Sequence, residues 1–167
     1  VPVIVKWGVY AGGVIVDAVT GPRLADFFHF MGAEFLTPPA VQATLSGTYN
    51  NVIGHTKFIT ETGALGGILA SANINISSGN LIGYNLGLTD AMGRNWFGCA
   101  FGCSIGSVPL AGFAINGVLL TGSGPGGGAA GNAHGLVVGP TGKGVISSFD
   151  LKTAAGKAVT GSFAVKQ

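Results

Sequence analysis

At 167 residues the chain is long enough for one domain with a real core, yet only 8% of it is charged and 47% is hydrophobic, with a mean hydropathy of +0.55. Ordinary globular proteins carry roughly 25% charged residues, so much of this surface is expected to be covered in an assembly, in lipid, or both. The net charge of +2 is small and scattered, which argues against nucleic acid as a partner.

No apolar run reaches the roughly 18 residues that a spanning helix requires. The chain begins at Val1 without Met, which reads as the mature form of a precursor whose signal peptide has been cleaved. Val1 to Val19 reads as β: Val3, Val5, Trp7 and Val9 alternate, and Val14, Ile15 and Val16 follow a Gly12-Gly13 break. Gly21-Pro22 is a turn signal. Leu24, Phe27, Phe28 and Met31 recur at helical spacing and predict a short helix within Arg23 to Phe35, stopped by Thr37-Pro38-Pro39. Val41 to Tyr49 and Lys57 to Thr62 read as strands.

Between Thr62 and Gly142 the only formal charges are Asp90 and Arg94. From Ile68 to Leu88 the even positions are mostly apolar, among them Ile74, Ile76, Ile82, Tyr84, Leu86 and Leu88. The odd positions are mostly small or polar, among them Asn73, Asn75, Gly83, Asn85 and Gly87. The pattern restarts as Phe97, Cys99, Phe101, Cys103 and Ile105. Strands send successive side chains to opposite faces, so residues 65–106 predict one long hairpin with a tip near Thr89 to Trp96. Folding about that tip opposes Ile82, Tyr84, Leu86 and Leu88 to Cys103, Phe101, Cys99 and Phe97. These eight are expected on one face; the alternation fits a soluble sheet and equally a membrane hairpin, in which they form a lipid-facing band and Asn73, Asn75, Gly83, Asn85 and Gly87 line an aqueous lumen. A first strand of that length is about 70 Å long, so its upper part would stand clear of a bilayer.

Beyond the hairpin, Leu110 to Leu120 reads as a strand and the Gly-rich run Gly122 to Gly131 as a loop. Leu136 to Val138, Val145 to Leu151 and Ala158 to Val165 form a meander, where Lys143, Lys152, Lys157 and Lys166 read as solubilising residues.

Other chemistry finds little support. Gly122, Gly124 and Gly127 match a dinucleotide fingerprint formally, but Pro125 interrupts it and no amphipathic helix follows. Gly142-Lys143 lacks the Ser or Thr of a phosphate loop, because Gly144 stands there. Cys99 and Cys103, four apart on an extended strand, would lie about 13 Å from each other, so they are expected reduced and unbonded. His29, His55 and His134 belong to no catalytic or metal-binding template. No catalytic residue, metal ligand or cofactor is expected.

Both ends of the chain carry spaced residues of one kind. Trp7, Arg23-Leu24, Phe28-His29, Ala33 and Phe35 occupy the first part. Gly127-Gly128, Asn132-Ala133-His134-Gly135, Val137, Gly139, Gly142, Val145, Phe149 and Leu151 occupy the last. In these the chain resembles the MspA-type porins of mycolic-acid-bearing actinobacteria; the middle matches in character rather than in residues. The resemblance implies an all-β subunit in a goblet-shaped homo-oligomeric ring. A β-sandwich rim, formed here by about 1–64 and 107–167, would lend its hairpin to a shared transmembrane β-barrel in an outer, mycolate-type membrane. About eight subunits would give roughly 16 strands, enough for an aqueous channel. The expected function is passive diffusion of small hydrophilic solutes and ions. The partners are then other copies of the chain, membrane lipid and the solutes themselves. Family members carry paired acids at the narrow point, whereas Asp90 is alone with Arg94 nearby; these two are the candidate constriction. Two other readings remain: a Gly-rich β-subunit of a filament or shell, and a secreted hydrolase or lectin-like sandwich.

Overall fold

The computed structural model describes residues 5–11, 14–17, 21–24 and 27–167. The predominance of β-structure expected from the alternation holds. Its arrangement differs from a rim with an inserted stem.

The N-terminal segment forms a two-stranded ribbon. Strand β1 (Val5–Ala11) pairs with β4 (Phe27–Ala33) from Val5↔Ala33 to Ala11↔Phe27. Strand β2 (Val14–Asp17) pairs with β3 (Gly21–Leu24) from Val14↔Leu24 to Asp17↔Gly21, continuing the same register. The helix expected over Arg23 to Phe35 is therefore absent. Aromatic residues suit a pleated surface, and in-register pairing with β1 outweighs a helical spacing of few residues.

Residues 39–42 form a short helix, α1 (Pro39–Gln42), where a strand was expected. Pro39 sits in its first turn, a position that tolerates the missing N–H. Then come β5 (Gly47–Tyr49), β6 (Asn51–His55), β7 (Phe58–Thr60) and β8 (Leu65–Gly66).

The long strand predicted over Ile68 to Leu88 is two strands, β9 (Ile68–Ser77) and β10 (Asn80–Thr89). They are joined at Ser78 and Gly79, with φ of 47° and 74°. Positive φ at both central residues is the hairpin turn whose twist suits the flanking strands. Next, β11 (Asn95–Ala100) ends in a single 3-10 turn, Phe101–Cys103, so the second predicted strand is cut short. Strand β12 (Val108–Pro109) precedes helix α2 (Leu110–Ile115), which replaces the expected strand. The Gly-rich run is mostly strand: β13 (Val118–Gly124) and β14 (Gly127–Val138) turn at Pro125-Gly126. The last two strands, β15 (Gly144–Thr153) and β16 (Ala158–Lys166), follow expectation closely.

Hydrogen bonding runs in the order β9-β10-β11-β13-β14-β15-β16, an antiparallel meander of neighbours. Its first strand pairs with β5 (Tyr49↔Ile74) and its last with β6 (Val52↔Val165). Only Asn50 separates β5 from β6. Residues 47–55 thus act as one strand that joins both edges and closes the sheet into an up-and-down barrel within a single chain. Residues 65–106 lie inside this sheet rather than projecting from it.

The interior is solid. Tyr49, Phe58, Ile74, Leu81, Leu86, Leu120, Leu151 and Phe163 are almost fully buried together with Tyr84 and Trp96. A small barrel has room for side chains and little else. Inward glycines make that room: the Trp96 ring lies 2.6 Å from where a Cβ on Gly124 would stand, and Phe58 and Phe113 similarly lie over Gly161 and Gly135. Large residues against small ones fill the taper. On the outer wall, Val5, Met31 and Ala33 of the ribbon pack over Val138, Ile146 and Ala164. Among the described residues no helix is long and apolar enough to cross a membrane.

Candidate functional site

The turn expected near Thr89 to Trp96 is present, and it carries both candidate constriction residues. Strands β10 and β11 pair through Thr89↔Asn95, leaving Asp90 to Arg94 as the connection. Asp90 Oδ1 accepts hydrogen bonds from the backbone N–H of Met92 at 2.9 Å and of Arg94 at 3.1 Å. Its Oδ2 accepts from Arg94 Nε at 2.7 Å and from the Trp96 indole at 2.8 Å. The guanidinium continues to Glu61 in a two-pronged pair at 2.7 and 2.8 Å, and Glu61 also accepts the Ala158 N–H at 3.1 Å.

Burial of the Asp90 carboxyl alone would raise its pKa. Hydrogen bonds from Trp96, from the Arg94 and Met92 amides and from the guanidinium outweigh it and hold the carboxyl below its ordinary value. The Arg94 hydrogen bonds likewise hold Glu61 far below the carboxylate range. Arg94 is raised, chiefly by Glu61. Asp90 is 3% exposed. This is a turn clasp, buried at Asp90 and open to solvent at Glu61, that ties the β10–β11 connection to the β7–β8 and β15–β16 connections. Glu61 went unnoticed in the sequence because it lies just outside the charge-poor stretch.

The expected lipid band is not assembled. The β10–β11 register is Leu86↔Gly98, Gly87↔Phe97 and Leu88↔Trp96, one residue away from the predicted pairing. Tyr84, Leu86 and Leu88 point into the barrel at 2% exposure or less. Ile82, beside a bulge between Leu81 and Gly83, is half-buried. Phe97 faces outward, and Phe101 packs against the rim of the core. A one-residue slip sends every side chain of a strand to the other face, and this slip separates Phe97 from Leu88.

The expected lumen residues stand on the outer wall of the barrel. Asn73, Asn75, Gly83, Asn85 and Gly87 are half-buried there, with Asn73 opposite Asn85 and Asn75 opposite Gly83. Thr48 donates to Asn75 Oδ1 at 2.9 Å, while Asn73 Oδ1 is buried without a hydrogen-bond partner.

Cys99 and Cys103 are joined in a disulfide, against expectation, with their Cα atoms 5.0 Å apart. The distance argument assumed a straight strand. Phe101, Gly102 and Cys103 instead all take positive φ, 56°, 64° and 63°, and turn the chain back on itself. No group of three metal-binding side chains occurs among the described residues.

The ribbon is the one large element outside the closed sheet. Its base is anchored by the contacts of β4 with β15, β16 and β7. The Trp7 ring also lies 2.5 Å from where a Cβ on Gly54 would stand. A lone two-stranded ribbon is marginal in water and presents two unpaired edges. No family model, no curated protein and no solved structure matches the chain.

Proposed function

We propose that the chain is an exported, self-assembling pore protein of porin type whose shared strand pair is the N-terminal ribbon, residues 5–33. The observation that carries this reading is the ribbon's continuous register outside the closed sheet. From Trp7 to Val16 the outgoing strand has no formal charge, and the return strand has none over Phe27–Ala33. A strand needs about 9–11 residues to cross a bilayer. Lys6 and Glu34 mark the base, Asp17 and Arg23 lie toward the tip, and Asp26 stands on the return side just before Phe27, limiting its charge-free run to the seven residues Phe27–Ala33. In lipid the two open edges must be paired, which ribbons from neighbouring copies can do around a ring. The filled barrel interior means that small hydrophilic solutes and ions would pass between ribbons, not through the body of a subunit. The disulfide supports residence in an oxidising compartment, in keeping with an outer, mycolate-type membrane.

The test is planar-bilayer recording with the purified chain and with Val14→Asp. The native chain gives discrete conductance steps. The variant loses them because an acid is placed in the spanning region, while its thermal unfolding is unchanged because the barrel is untouched. Absence of conductance from the native chain, or full conductance from the variant, overturns the proposal. A second reading, a filament or shell subunit, is favoured by the solid barrel and by edges open to strand addition. Polymers that sediment without lipid would select it.

A further inference from the structure

The chain leaves β11 by a detour. Strand β11 pairs with β10 as far as Asn85↔Cys99, and the next pairing along β10 is Leu81↔Val108. Three residues of β10, Ile82 to Tyr84, thus stand against eight, Ala100 to Ser107. Within the detour the Phe101 ring lies against Gly106 and the rim of the core, and the Gly106 N–H donates to the Ile82 carbonyl at 3.4 Å. On the other side, the β11–β13 ladder stops at Ala100↔Leu120, although β13 begins at Val118 in its pairing with β14. Carried straight on, β11 would set Phe101 between Gly83 and Leu119 on the outer face. It would then compete with Val108 for Leu81. Leu119 is 74% exposed and would gain cover.

The preferences of this segment conflict. Phe97, Cys99, Phe101 and Cys103 alternate with small residues as a strand does. Phe101 and Cys103 nevertheless hold positive φ, which is costly for residues other than glycine. The Cys99–Cys103 bond closes the turn with its Cα atoms 5.0 Å apart. A straight strand would hold them about 13 Å apart, beyond the reach of the bond. Bond and strand therefore exclude each other.

We propose that Cys99–Cys103 is a redox switch of strand register. With the bond in place, residues 101–107 stay looped out. Reduction by a dithiol lets Phe101 to Cys103 extend β11 and lifts Val108 off Leu81. The two sulfurs are unequal, since Cys103 is exposed and Cys99 is 3% exposed. A thiolate of the dithiol attacks Cys103 Sγ, the S–S bond breaks, and Cys99 leaves as a thiolate that takes a proton. Cys99 Sγ lies 3.2 Å from the Thr121 carbonyl oxygen, which accepts from the thiol so formed. The second thiolate of the reductant then attacks the reductant's own sulfur in the mixed disulfide. Cys103 leaves and is protonated in turn. Two electrons pass to the cysteines, and the dithiol becomes a disulfide. The inference does not depend on the ribbon entering a membrane.

The experiment follows the full chain in mixtures of reduced and oxidised dithiothreitol, by amide hydrogen exchange and inter-strand nuclear Overhauser effects. On reduction, protection should appear at residues 101–103 with new contacts from Phe101 to Gly83 and Leu119. Val108 should lose its contact with Leu81, residues 127–166 should stay as they were, and reoxidation should reverse the change. The double variant Cys99→Ser with Cys103→Ser should show the reduced pattern from the start and ignore the reductant. Gly102 stands at φ +64° with open space around it, so Gly102→Ala strains the turn. That variant should lower the ratio of reduced to oxidised dithiothreitol at the midpoint about fivefold or more. A reduced chain that keeps Val108 opposite Leu81, a reduced chain that unfolds throughout, or an unmoved midpoint in Gly102→Ala overturns the proposal.

Discussion

The indole N–H of Trp96 points at Oδ2 of Asp90, 2.8 Å away, on a carboxylate that is 3% exposed. The contact couples the turn to the barrel core, because the same Trp96 ring fills the space over Gly124. Asp90 thereby anchors its turn to the core.

Asp90→Ala should destabilise the chain by about 3 kcal/mol, since it leaves the Arg94 guanidinium and the Trp96 N–H without their buried acceptor. Urea unfolding monitored by tryptophan fluorescence measures this. A variant with changed conductance but native stability would return Asp90 to the role of pore charge.

Acid should loosen the same clasp. The Asp90 and Glu61 carboxyls are both depressed in the folded chain. Their contribution is therefore complete above the ordinary carboxylate values of about 3.9 and 4.3. It is lost progressively as pH falls below them toward the folded-state values. The unfolding midpoint should drop in that window, and the drop should be smaller in Glu61→Gln. A midpoint equally steep in that variant would remove Glu61 from the explanation.

Gly124→Ala should cost about 1–3 kcal/mol, because the new methyl meets Trp96 at 2.6 Å and Thr153 at 3.0 Å. Thermal melts compare it with Gly126→Ala. That site has open space around it, but its φ of +84° carries a penalty of backbone strain. The two can be told apart by near-ultraviolet dichroism of Trp96, which only the Gly124 variant should alter.

The denatured chain, without reductant, should show no free thiol, because Cys99 and Cys103 are bonded. Cys103→Ser should lower stability by about 2 kcal/mol, the chain-entropy value for so short a loop. Two titratable thiols in the unreduced protein would contradict the bond.

Sequence alternation was enough to find β15, β16, the end of β14 at Leu136 to Val138 and the Asp90 turn, whose connections are marked by Gly, whereas the Gly-rich start of β14 reads as a loop. It misread Ile68 to Leu88 as a single strand, although Ser78-Gly79 is a recognisable hairpin dipeptide. The even-numbered apolar face resumes in phase at Ile82 after only Ser78 and Asn80, and this hides the reversal. Which side was wet was not legible at all. Tyr84, Leu86 and Leu88 obey the same period whether they meet lipid or Phe163, and only closure by residues 47–55 decides it. The cysteine bond escaped for a similar reason: positive φ at Phe101 and Cys103, neither of them glycine, leaves no mark in the sequence.

The strand at 47–55 sets an order of events. It can take up β9 as soon as residue 77 exists, but its other partner is the final strand, Ala158–Lys166. A chain stopped short of that strand leaves the β15 and β6 edges bare and the aromatic interior open along one side. Closure must therefore wait for residues 158–166 and for contacts far apart in sequence, which slows it. During that interval the chain presents its edges to any neighbour, so residues 158–166 act as the zip whose arrival separates one copy from the next.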